Sequence, residues 1–243
     1  HSLLYDTGPR YSPETDAGQR VLVPLLLALG ERLNRVIISH QDSDHSGGAQ
    51  SVLKMQAQAD VLTSIPTDNN LRLVWPMQNC VAGQRWDWDG VQFSILHPQQ
   101  GDYAVKRKPN ALSCVLRIES ASGVSALLVA DIEAAQEKQL LLRGVHLKAD
   151  WLLVPHHGSA TSSTASFLKA VSPQVAWVQT GYRNRFSHPR AEVMQRYATQ
   201  GIQVFQSVWC GASIWQSDNP KQMRCTRDAQ RHYWYHLAPK DPN

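Results

Sequence analysis

The order of elements along the chain predicts an α/β (α+β) fold, with two mixed β-sheets packed face to face and helices outside. Three observations carry this. Arg85-Trp86-Asp87-Trp88 and Val91 to Leu96 alternate on either side of Asp89-Gly90, a strong hairpin signal. Ser113 to Ile118 and Val124 to Ala130 form a second antiparallel pair across Ser122-Gly123. Elsewhere apolar strands alternate with helical segments in strand–helix–strand units.

Taken in order, His1 to Asp6 reads as a strand that ends at the turn Thr7-Gly8-Pro9. Ala17 to Leu29 has helical spacing. Arg35 to Ser39 is a buried strand, Ala49 to Gln58 a helix and Asp60 to Ser64 a short strand. After the two hairpins, Glu133 to Leu142 is helical and Trp151 to Val154 a strand. Ser163 to Ala170 and Arg190 to Thr199 are helices around the strand Val175 to Gln179, and Ile202 to Gln206 and Ser213 to Gln216 close with strands. Residues 1–218 read as one domain and 219–243 as a polar, basic, peripheral extension.

With 243 residues the chain can bury a proper core. Its net charge of +4 permits a polyanionic ligand without arguing for one. The longest apolar run, Val21 to Leu29, contains Pro24 and falls far short of the ~20 residues a membrane span needs, so the chain is expected to be soluble by itself. It starts inside a strand, without a methionine or signal peptide, and reads as part of a longer polypeptide. The four cysteines lack CxxC pairing, which excludes a zinc ribbon. Cys114, in an apolar strand, reads as an inert core thiol, whereas Cys80, Cys210 and Cys225 lie in or near turns where a disulfide could form.

The segment Ser39-His40-Gln41-Asp42-Ser43-Asp44-His45-Ser46-Gly47-Gly48 concentrates the chemistry. A lone His-x-Asp would read as a solvated loop. Here four metal-capable side chains, His40, Asp42, Asp44 and His45, follow a strand and precede Gly-Gly and a helix. Imidazole and carboxylate suit zinc, manganese or iron, and the spacing lets His40 and Asp42 face one ion while Asp44 and His45 face another. Two ions need further ligands. Asp131 ends an apolar strand, where it could bridge ions or cap the following helix. His156 and His157 end another strand, and His188 follows a third. His97, His146, His232 and His236 lack such context.

These elements resemble the metallo-β-lactamase superfamily. The resemblance rests on Tyr5-Asp6-Thr7-Gly8, the His40-to-His45 motif, Asn110-x-x-Ser113, Ala130-Asp131, His156-His157-Gly158-Ser159 and His188-Pro189. With Trp88-Asp89-Gly90-Val91 and His97-Pro98, the set is most similar to the extracytoplasmic domain of DNA-uptake (competence) proteins of the ComEC/Rec2 kind, from residue 1 to about Trp215. The resemblance implies an αββα sandwich with ions at the sheet edges. His40 and Asp42 would hold the first ion, Asp44 and His45 the second, and Asp131 would bridge. His157 would complete the first site and His188 the second, with Asp6 fixing the ligand loop from behind. The superfamily more often has histidine at the positions of Asp42 and Asn110, and this harder donor set favours Mn2+, with Zn2+ as the alternative. Family members usually carry further strands before the segment equivalent to His1, so the first strand is expected at a sheet edge.

The implied activity is a metal-dependent nuclease on the periplasmic side of a bacterial inner-membrane channel, hydrolysing the DNA strand that is not taken up. Its partners would be single-stranded DNA, the rest of the channel polypeptide and the DNA-uptake machinery. Asp44 and Asp131 would position the attacking hydroxide, and His156 would hydrogen-bond a phosphoryl oxygen or protonate the leaving alkoxide. Lys106, Arg107, Lys108, Arg183, Arg185 and Arg190 flank the ligand loops and could meet backbone phosphates. Two other readings are a phosphorylcholine esterase on the same scaffold, weakened by the lack of choline-binding repeats, and a non-catalytic module that binds DNA or a partner.

Overall fold

The computed structural model describes residues 1–229. A four-stranded parallel sheet runs in the order Leu3–Tyr5, Arg35–Ile38, Asp60–Thr63, Gln78–Asn79. Leu3–Tyr5 forms one edge of that sheet. A seven-stranded mixed sheet runs in the order Gln203–Gln206, Val175–Val178, Trp151–Leu153, Ser125–Leu128, Val115–Glu119, Val91–His97, Arg85–Trp88. Its first four strands are mutually parallel and the last three follow antiparallel. Both predicted hairpins are present, and the small sheet is parallel throughout.

Side-chain parity explains the layering. Successive strand residues face opposite sides. Val36 and Ile38 face outward onto Leu26, Ala49, Val52 and Leu53 of the Val23–Leu29 and Ala49–Met55 helices. Ile37 faces inward and meets Phe93, Ile95 and Leu116 of the large sheet. On the far side, Leu127, Leu152, Ala176 and Val178 pack on Leu140, Phe167, Leu168, Val193 and Tyr197 of the helices Ala134–Leu142, Ala165–Val171 and Ala191–Thr199. The result is helix, sheet, sheet, helix: the αββα metallo-β-lactamase sandwich. A fully buried leucine or isoleucine such as Ile37 or Leu127 contributes about 1.5–3 kcal/mol relative to leaving it in water.

Cys114 departs from the sequence reading. It is bonded to Cys80, joining the end of the small sheet to the start of the Val115–Glu119 strand, and Cys210 is bonded to Cys225. An apolar strand context describes a half-cystine as well as it describes a free thiol. The second bridge reinforces a hairpin, Ser213–Trp215 with Met223–Cys225, which ties residues beyond 218 to the body of the domain. The rest of the expected extension, with His232 and His236, lies outside the described residues.

The helix expected over 17–29 begins with a wide turn at Gly18–Leu22 before Val23–Leu29. A short hairpin, Arg10–Ser12 with Thr15–Asp16, and a helix, Asn70–Val74, were not signalled by periodicity because each is too short to show a period.

Candidate metal centre

The strands of both sheets that carry the motifs end on one side of the molecule. His40 to His45 follow Arg35–Ile38, Asp131 follows Ser125–Leu128, His156 and His157 follow Trp151–Leu153, and the 179–188 segment follows Val175–Val178. Asn110 precedes Val115–Glu119, which runs antiparallel to its neighbour and so starts at that same end. Convergence at carboxyl ends of strands is the usual place for a site in an α/β sheet.

Four residues come together there. One ligand atom from each of Asp44, His45, Asp131 and His157 lies within 4.8 Å of all the others. His45 Nε2 is 3.2 Å from Asp131 Oδ1, and His157 Nε2 is 3.3 Å from Asp44 Oδ2 and from His45 Nε2. A tetrahedral ion with bonds of about 2.1 Å sets its ligands about 3.4 Å apart, so this spacing fits a cation.

The imidazoles are aimed. Asp6 accepts the Ser39 backbone N–H at 2.7 Å and the Ser39 hydroxyl at 2.9 Å, and takes the His45 Nδ1–H at 2.7 Å. His157 donates Nδ1–H to the Gln179 carbonyl at 2.7 Å. Each bond fixes the tautomer and turns Nε2 into the cluster, as metal-ligating histidines require. His40 is 1% exposed, its Nδ1 lies 3.0 Å from Ser39 Oγ, and its buried Nε2 has no hydrogen-bond partner. A buried imidazole nitrogen without a hydrogen-bond partner, 3.5 Å from Asp42 Oδ2, has the chemistry of a metal donor.

Electrostatics agree. Burial works against charge on His45, yet Asp6 and Asp131 raise it well above the usual imidazole range. Burial opposes the His157 imidazolium too, but Asp44 and Asp131 lift it. The hydrogen bond from His157 holds Asp44 at about 2, and Asp131, despite its burial, is held far down by His45. Asp44 and Asp131 are among the carboxylates that raise these imidazoles, and they are the two that a divalent ion between them would neutralise.

The local backbone is shaped for this. Asp6, Ala130, His156, His157 and Ser187 all have positive φ, between 45° and 62°. That left-handed region is costly for side-chain-bearing residues, and such strain concentrates at functional sites. The Gly-Gly of the motif is explained by close approach. A Cβ on Gly47 would sit 2.2 Å from the Arg10 nitrogen, and one on Gly48 2.3 Å from the Thr7 oxygen. The N-terminal segment lies directly on the ligand loop: Thr7 N–H and hydroxyl both donate to the His45 carbonyl, at 2.7 and 2.8 Å.

The allocation of histidines differs from the expectation. His157 stands with Asp44 and His45, not with His40 and Asp42. His188 is outside the four-residue group: its ring lies 5.9 Å from that of His156 and 5.7 Å from that of Phe186, and its buried Nδ1 has no partner. His156 Nε2 is 3.7 Å from Asp131 Oδ2 and 3.3 Å from Asn110 Nδ2. Asp131 therefore directs Oδ1 to the four-residue group and Oδ2 towards His156. The helix Ala134–Leu142 is capped by Glu133, so Asp131 has no capping duty. Sequence reading did not signal Glu133, whose carboxylate lies 3.5 Å from His156 Nδ1, or the Gln179 carbonyl.

The expected phosphate contacts divide. Arg107 is paired with Asp102 at 3.1 Å, while Lys106, Lys108, Arg183, Arg185 and Arg190 are exposed. A cavity of about 730 Å³ opens beside the cluster, lined by Asp44, His45, His157 and His188 together with the N-terminal and 179–188 segments.

No family profile matches the chain. Several curated proteins do. The chain is 37% identical over 215 residues to competence protein ComA of Neisseria gonorrhoeae, covering 86% of this chain and 28% of that one. It is 37% identical over 194 residues to recombination protein 2 of Haemophilus influenzae (80% and 23%). Identity to ComE operon protein 3 of Bacillus subtilis is 32% over 227 residues (84% and 29%). The chain thus spans about a quarter of the length of these relatives. A metallo-β-lactamase structure from Cronobacter sakazakii aligns with 83% of the chain and 85% of its own length at TM-score 0.47 and 16% identity, a distant likeness beside the sheet order above. With its two-sheet sandwich and clustered ligands, the chain belongs with these competence proteins as a ComEC/Rec2-like domain of metallo-β-lactamase fold.

Proposed function

We propose that this domain is a metal-dependent hydrolase that cleaves phosphodiester bonds of single-stranded DNA during DNA uptake. The observation that carries the reading is the convergence of Asp44, His45, Asp131 and His157, with the imidazole Nε2 atoms turned inward by partners behind them. A second cation position is proposed at His40, Asp42 and the Asp131 Oδ2 that faces His156, with Mn2+ favoured over Zn2+ for so oxygen-rich a donor set. Divalent ions bound there would lower the pKa of water and neutralise phosphoryl charge.

This chain's own groups would do the rest. Asp131, buried, would bridge the two ligand sets. His156, flanked by Asn110, Glu133 and Thr161, is placed to donate to a phosphoryl oxygen or to the leaving alkoxide. Lys106, Lys108, Arg183, Arg185 and Arg190 would attract the backbone, and His188 lines the cavity beside the cluster. The extracytoplasmic, periplasmic setting accords with two disulfides, which persist in oxidising compartments. No described helix is long and apolar enough to cross a membrane.

Incubation with end-labelled single-stranded DNA and Mn2+ or Zn2+, beside an Asp44→Ala/His45→Ala variant, tests the reading. Metal-dependent cleavage lost in the variant supports it. Binding without cleavage in any metal would make the domain a DNA-binding module. Turnover of phosphorylcholine esters alone would make it an esterase.

A further inference from the structure

We propose that Tyr11 and Phe186 are base-stacking platforms that make the cavity select single-stranded over duplex nucleic acid. The proposal rests on the phosphodiesterase reading and names how that site would recognise its substrate.

Among the described residues four large aromatic side chains are exposed: Tyr11, Tyr182, Phe186 and Trp209. Three of the four belong to the two segments that border the cavity, and Tyr11 and Phe186, each 54% exposed, line it directly. Neither ring is needed by the core, whose clusters include neither. Apolar surface exposed along a cavity wall, unlike a ring isolated on the open surface, marks a place for a ligand.

Each ring has a guanidinium over it. Arg20 lies 5.7 Å from the Tyr11 centroid, Arg185 4.7 Å from that of Phe186, and Arg183 5.3 Å from that of Tyr182. Aromatic faces joined to cations are the components of sequence-tolerant single-strand binding. Bases stack on rings or on guanidinium planes, and the same cations meet the phosphates. An arginine already over each ring also argues against a choline headgroup, which would compete for that face and be repelled by its charge.

Position connects the platforms to the chemistry. The Phe186 ring lies nearly parallel to that of His188, at 19°, and His188 in turn neighbours His156. A base stacked at Phe186 would therefore lie beyond His188, on the side of the cavity that leads through His188 and His156 to Asp131. A duplex keeps its bases stacked on each other and offers no free face. The cavity, within the size range of small-ligand sites, has room for a nucleotide or two and not for a helix.

The test compares Mn2+-loaded protein on a thymidine oligonucleotide and on an abasic one of equal length. It reads kcat/KM for cleavage and, in parallel, fluorescence anisotropy for binding. Wild type should prefer the base-bearing strand by about 5- to 150-fold for each base that stacks. Phe186→Ala and Tyr11→Ala should each lower that ratio by about fivefold or more, and Phe186→Trp and Tyr11→Phe should retain it. A wild-type ratio near one, or alanine variants that weaken both strands by one common factor, overturns the platforms and leaves the phosphodiesterase standing. Base-dependent binding without cleavage in any metal does the reverse. Failure to bind or cut either strand removes both.

Discussion

The hydrogen bond from His45 to Asp6 can be broken with almost no change of shape. In Asp6→Asn the side chain keeps its volume but loses one of two acceptors. The wild-type carboxylate receives the Ser39 N–H, the Ser39 hydroxyl and the His45 Nδ1–H, at 2.7, 2.9 and 2.7 Å. An asparagine that accepts from the Ser39 N–H turns its NH2 towards His45 Nδ1. That nitrogen must then become the acceptor, and the imidazole proton moves to Nε2, inside the cluster. Flipping the amide restores His45 but sets NH2 against the Ser39 N–H. Either way one bond to a charged acceptor, worth about 1.5–3 kcal/mol, is lost. Metal affinity is therefore expected to fall about 10- to 100-fold, the usual effect of removing a partner behind a ligand histidine. The assay is competition of Zn2+ or Mn2+ against a chelator, at a pH where His45 is already neutral in the variant. Imidazole nitrogen NMR reads the tautomer. An affinity within about twofold of wild type, in a protein with unchanged circular dichroism, would refute the reasoning.

Three further outcomes are expected. Metal affinity should rise with pH, by up to about one decade per pH unit for each proton expelled, because Asp6, Asp131 and Asp44 raise His45 and His157 above the usual imidazole range and an ion must displace whatever proton each carries. The sign for the metal-free protein is opposite. A raised imidazole stabilises the fold below about pH 6.5 and loses that contribution as pH climbs through the folded value, so calorimetry in two buffers that reveals no proton release would count against this picture. Replacing both Cys80 and Cys114 by alanine opens a loop of 34 residues and should cost about 3–4 kcal/mol in urea unfolding; a loss under about 1 kcal/mol would mean that the bridge constrains little. Gly47→Ala places a methyl 2.2 Å from the Arg10 nitrogen and 2.4 Å from the Ser43 oxygen, so stability should drop by about 2–4 kcal/mol with a lower melting temperature, and an unchanged one would show that the N-terminal segment yields freely.

What the sequence could convey about this site follows from which part of each ligand is encoded locally. His40, Asp42, Asp44 and His45 share one loop, and their spacing is itself the signal. Asp131, His156, His157 and His188 are visible because each follows an apolar strand. Their grouping is not visible, since it depends on how far each loop folds back over the sheet ends. His157 went to Asp44 and His45 because positive φ at His156 and His157 turns the chain there, and nothing in His-His-Gly-Ser specifies that turn. The tautomer partners divide in the same way. Asp6 could be named from its motif because its role belongs to its side chain. The Gln179 carbonyl that orients His157 could not, because any residue supplies a carbonyl. Tyr11 and Phe186 give no signal in the sequence for a different reason. An isolated aromatic residue reads as incidental until two segments distant in the chain place such residues on one cavity, each beneath an arginine. Local chemistry is legible in one dimension, and a cavity wall assembled from segments far apart in the chain is where folding adds what the order of residues does not contain.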